Sequence, residues 1–70
     1  MTMMREQERR WLEEQLRLVT PVQRRILCLR FGLNGEISRT LKQVAHELKI
    51  DEQHIREEES KALRHIRRGH

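Results

Sequence analysis

The dipeptide Thr20-Pro21 constrains this chain more than any other feature. Proline cannot sit in a helix interior without removing a backbone donor, yet it fits the first helical position, where no donor is needed. Threonine before it is a good N-cap. The pair therefore ends one helix and begins another. Further punctuation follows the same logic. Gly32 comes directly after an apolar run, as a helix C-cap should. Asn34-Gly35 is a strong turn dipeptide. Thr40 and Asp51 are two more N-cap residues, each placed just before a helical pattern. The predicted helices run over about 3–18, 21–31, 41–48 and 52–68. Nothing argues for strands: there is no Tyr, a single Phe and Trp, and no sustained period-two alternation.

Helical spacing assigns the inward faces. In the first helix they are Met4, Trp11, Leu12, Leu16 and Val19. In the second they are Val22, Ile26, Leu27, Leu29 and Phe31. The short third helix turns Leu41, Val44, Ala45 and Leu48 inward. The fourth turns Ile55, Ala62, Leu63 and Ile66 inward, with Leu48 and Ile50 bracketing the turn between them. A short helix, a tight turn and a longer helix make a helix-turn-helix pattern. No repeat or linker divides the chain, so residues 1–70 are read as one domain.

Composition narrows the function. The single cysteine, Cys28, cannot form an internal disulfide, which excludes a stapled secreted mini-protein. It is read as a small buried hydrophobe in the second helix. No apolar run approaches the roughly 18 residues of a membrane span. The opening MTMMREQERRW lacks an apolar signal-peptide core, so a cytoplasmic location is expected. His46, His54, His65 and His70 show no metal-ligand spacing. No nucleophile–base pair or phosphate loop can be assembled, so no enzyme activity, metal or cofactor is expected. The formal charge of +4 makes nucleic acid the first partner to consider.

Three segments go beyond a generic helix-turn-helix: LRFGLNGE at 29–36, TLKQVAHEL at 40–48 and ESKALRHIR at 59–67. The stretch that holds them, Leu12 to Arg68, resembles region 4 of the bacterial sigma-70 family, the promoter-recognition subunits of RNA polymerase. The resemblance implies an all-α, four-helix domain with a C-terminal helix-turn-helix, acting in transcription initiation or regulation. In such proteins the third helix touches DNA phosphates and the fourth enters the major groove of the −35 element. The first two helices form an apolar surface that grips the flap of the polymerase β subunit. Carried over by position, Arg30, Thr40, Leu41, Lys42 and His46 are expected near phosphates. Glu52, Gln53, Arg56 and Glu57 are expected to face bases, with Lys61 and Arg64 contributing contacts further along. Leu12, Leu16, Leu18, Val19, Ile26 and Leu27 form the pool for a flap-binding surface.

One segment departs from that pattern. Family members read something like TRERIRQIE at the start of the fourth helix; residues 51–59 here read DEQHIREEE. That block carries a formal −4, between residues 1–50 at +4 and residues 60–70 at +4. DNA affinity rests largely on Lys and Arg neutralising phosphates. Arg56 and Gln53 still suit guanine and adenine, and Glu52 or Glu57 can accept a bond from cytosine. A plain reading also exists. Acids at a helix N-terminus are favoured by its dipole, by about 0.3–1 kcal/mol each, and Glu57 with Lys61 is an ordinary i,i+4 pair. Lys61, Arg64 and Arg68 share a face that suits either phosphates or the helix C-terminal dipole. Glu58 interrupts the inward stripe. It is expected at the domain edge, paired with a basic group, or on a partner surface, and Glu58→Ile is expected to stabilise the fold by filling the stripe.

Two rival functions remain open on these residues. One is a protein-binding regulator, anti-sigma-like or a polymerase-binding accessory or competitor, with little DNA reading because its fourth helix is acidic. The other is a homodimer formed through apolar surface on the first two helices, with Trp11 either an anchor or half-buried core.

Overall fold

The computed structural model describes residues 5–68, with the side chains of 5–67. Helix α1 spans Glu6–Gln15 and tightens into a 3-10 turn at Leu16–Leu18. Helices α2, α3 and α4 span Pro21–Phe31, Leu41–Leu48 and Glu52–Arg68. The described residues contain no strand, and the architecture is all-α. Met4 and the Arg68 side chain lie outside the described residues.

The caps explain the boundaries. Thr20 Oγ1 accepts from the Gln23 amide at 3.1 Å, and the Gln23 side chain accepts from the Thr20 amide at 3.2 Å. Thr40 and Gln43 repeat this at 3.1 and 2.9 Å. Each reciprocal pair satisfies two donors that a helix start leaves open. Asp51 Oδ2 accepts from the Gln53 amide at 3.1 Å and opens α4.

Helices α2 and α3 end alike. Gly32 takes a left-handed conformation with φ 66°, and the following Leu33 amide returns to Cys28 O at 3.0 Å. Lys49 does the same at φ 57°, and the Ile50 amide returns to Ala45 O at 3.0 Å. This is a Schellman-type closure. Asn34 and Gly35 both have positive φ, and the Glu36 amide closes their turn onto Leu33 O at 3.1 Å.

Two apolar clusters make the core, and α2 is the wall between them. Leu27 and Cys28 face Leu12, Leu16, Val19, Leu33, Ala62 and Ile66, with Phe31 and Leu63 packed at the margin. Ile26 and Leu29 face Val44 and Ile55, with Leu41, Ala45, Leu48 and Ile50 around them. The second cluster joins α3 to α4 and so holds the helix-turn-helix. Val22, expected inward, is instead 48% exposed. It lies in the first turn of α2, ahead of the four consecutive residues that both clusters take up.

Candidate nucleic-acid interface

Between Ile55 and Ala62, α4 crosses from one cluster to the other, and polar groups fill the crossing. Gln23 Nε2 donates to Glu58 Oε1 at 3.1 Å, and Lys61 Nζ lies 3.5 Å from Glu58 Oε2. Arg30 Nε meets Glu59 Oε1 at 2.8 Å, while Arg30 Nη1 donates to Arg39 O at 3.0 Å. Both glutamate side chains are only 17% exposed. The Gln23 amide, helped by the Lys61 charge, holds the Glu58 carboxyl below its ordinary range.

This arrangement overturns the expectation that Glu58→Ile fills a gap. Position 58 is a polar seam, and its nearest partner is an amide that also caps α2. Isoleucine there leaves the Gln23 amide without its acceptor, and an unpaired, partly buried polar group costs about 1–3 kcal/mol. We expect Glu58→Ile to lower the melting temperature at pH 7. A depressed carboxyl pKa contributes stability above the unfolded value of 4.5 and loses it as pH falls through the folded one. The gap between wild type and variant should therefore narrow in thermal melts taken below pH 4.5. An increase in melting temperature at pH 7 would restore the apolar reading of this position.

The seam changes what the acidic block presents. Asp51 caps α4, and Glu58 and Glu59 turn onto the protein. Glu52 and Glu57 remain on the outside. The outward face of α4 is a shallow hollow lined by Gln53, Arg56, Glu57, Ser60, Lys61 and Arg64. Its three cations outnumber its one carboxylate. Arg56 Nη1 donates to Gln53 Oε1 at 3.3 Å, which aligns two of the expected base-facing residues. The expected Glu57–Lys61 pair does not form, because Lys61 leans to Glu58.

A second hollow lies at the start of α3, lined by Arg39, Thr40, Lys42, Gln43, His46 and Glu47. Of the residues expected near phosphates, Lys42 and His46 present exposed side chains. Thr40 is engaged in its cap, Leu41 packs on the second core cluster, and Arg30 is held by Glu59. The loop from α2 to α3 is tied by an ion-pair ring that sequence reading did not find. Arg25 meets Glu36 at 3.0 Å and Glu47 at 3.9 Å, and Arg39 meets both at 3.2 Å. Hydrogen bonds from Arg25 and then Arg39 hold the Glu36 carboxyl below its ordinary range. The loop is also tied to α1, where Glu13 accepts from the Asn34 amide at 2.7 Å. Only the charge alternation of these residues could have hinted at such ties.

Most of the expected flap-binding pool is buried. Leu12, Leu16, Val19, Ile26 and Leu27 are all core, at 8% exposure or less, and of these Leu12 also lines a surface groove. Leu18 is half-buried. The apolar groove on this side shares Leu12 with that pool and is lined by Gln7, Glu8, Trp11, Leu12, Phe31 and Leu63. Trp11 is 37% exposed, and so only partly core. Cys28 is buried as expected, and burial raises its thiol pKa. The described residues contain no group of side chains fit to hold a metal ion, and no helix long and apolar enough to cross a membrane.

Helices α2, α3 and α4, with Arg56, Lys61 and Arg64 on the outer face of α4, define a helix-turn-helix domain. The chain belongs to the sigma-70 region 4 family, whose sequence profile matches residues 16–68. It is 42% identical over 62 aligned residues to the RNA polymerase sigma factor SigA of Clostridium acetobutylicum. That alignment covers 83% of this chain and 16% of SigA, so the chain spans about one sixth of that relative. No solved structure matches the chain significantly.

Proposed function

We propose that this module binds promoter DNA of the −35 type through α4 and docks on RNA polymerase through its α1–α2 side. The observation that supports DNA contact most is the hollow on the outer face of α4, whose lining holds Arg56, Lys61 and Arg64 and one acid, Glu57. Cations arrayed along one helix face suit a phosphate-lined groove. In this reading Arg56 and Gln53 reach base edges, Lys61 and Arg64 take phosphates, and Lys42 and His46 on α3 take the neighbouring backbone. The groove at Trp11, Phe31 and Leu63 receives the β flap. As a binding module of bacterial transcription it is non-enzymatic and works in the cytoplasm.

Duplex titration across a salt series tests the proposal. Affinity should fall steeply with salt, because each neutralised phosphate releases counterions. A −35-type duplex should bind more tightly than a scrambled one, and Arg56→Ala should narrow that difference. An undiminished preference in Arg56→Ala shows that other residues read the groove.

A second reading is favoured by the outward position of Glu52 and Glu57. The module would then engage polymerase or a sigma protein without reading DNA. Retention of polymerase from bacterial lysate, with no duplex binding at low salt, selects it. Sedimentation over a concentration series separates both readings from a homodimer.

A further inference from the structure

The outer face of α4 has one feature that does not suit general DNA affinity. Glu57 is exposed within the hollow that Arg56, Lys61 and Arg64 line. Its natural helical partner, Lys61, is drawn 3.5 Å from Glu58 instead. Glu58 in turn is fixed by Gln23 from α2. The geometry therefore leaves Glu57 without an ion-pair partner among the described residues, in the middle of the surface that would meet the groove. Glu52 differs: it lies in the first turn of α4, where the helix dipole favours an acid, and it does not line the hollow.

We infer that Glu57 is a specificity-determining residue of this face, beside Arg56, favouring duplexes that place a cytosine amine opposite it. This inference rests on the proposed DNA binding. A carboxylate in the major groove has only acceptors to offer. It is repelled by phosphates and by the acceptor edges of guanine and thymine. The N4 amine of cytosine is a donor and relieves that penalty; the N6 amine of adenine relieves less of it, because the N7 acceptor lies beside it. Arg56, one residue away, suits guanine. Discrimination thus works through exclusion as much as attraction. The neighbouring cations keep overall affinity, and Glu57 with Arg56 decides where it is realised.

The test is selection from a randomised duplex library at low salt, using the full 70-residue chain in three forms: wild type, Glu57→Gln and Glu52→Gln. Glu57 is exposed, so its replacement should leave the thermal melt unchanged. Wild type should enrich cytosine at one position by about tenfold. Glu57→Gln should raise affinity for all duplexes and move that position toward adenine. Glu52→Gln should raise affinity and keep the cytosine, which separates reading from simple charge. Binding gained only by Glu57→Gln also supports exclusion by this carboxylate. A Glu57→Gln profile identical to wild type overturns the inference and leaves DNA binding standing. Failure of all three forms to retain duplex overturns both.

Discussion

Ile55→Ala should cost about 2–5 kcal/mol of folding stability, the range for truncating a buried isoleucine. Ile55 is fully buried, and it is the α4 residue of the cluster that joins α3 to α4. A domain this small rarely has more than about 3–5 kcal/mol in hand. The variant should therefore be largely unfolded at, or a little above, room temperature. Circular dichroism melts check this. A loss below about 1 kcal/mol, well under the truncation range, would show that the helix-turn-helix is held by something other than this contact.

Gly32→Ala should be the other severe change. Gly32 sits at φ 66°, and an added Cβ would lie 3.0 Å from Glu36 O and 3.1 Å from Ser38 N. Left-handed backbone alone costs a non-glycine residue about 1–2 kcal/mol. The contacts add to this, because both atoms belong to the backbone and cannot rotate away. Gly35 provides the comparison. It has φ 82°, with nothing within 4 Å of the added carbon. Gly35→Ala should show the backbone cost alone. Urea midpoints should rank wild type first, Gly35→Ala second and Gly32→Ala last. A reversed order of the two variants would remove the steric argument.

The helix ends were legible because the residues that make them are chemically particular. Thr20-Pro21, Gly32, Thr40 and Asp51 each do locally what their side chains dictate. The start of α1 was less legible. Arg5 offers no side-chain cap, so periodicity alone had to place the boundary. The capping glutamines Gln23 and Gln43 were open to a motif search, since Gln three residues after Thr completes a capping box. The site was harder. Which acids face inward depends on partners far along the chain: Gln23 for Glu58, 35 residues away, and Arg30 for Glu59, 29 away. Net charge along a segment cannot reveal that. The same limit applies to the flap-binding pool. Apolar spacing shows which side of a helix is buried, but not whether a core or a partner buries it. For Leu16 and Leu27 the answer is the core, while Trp11, Phe31 and Leu63 line an open groove.

The two-cluster core gives the domain an uneven resistance to local opening. Ile26 and Leu29 hold the helix-turn-helix, while Leu27 and Cys28 hold α1 and the C-terminal part of α4. Helix α1 reaches only one of these clusters, through Leu12 and the following Leu16 and Val19. It can peel away as a unit while Val44 and Ile55 stay packed on α2. Such partial unfolding lies below the global barrier in free energy, as is usual for elements with few buried contacts. Amide protons of α2 should then be the slowest to exchange, since freeing them requires both halves to come apart. The α1 end of the module would be its pliable end, and the helix-turn-helix its stiff one.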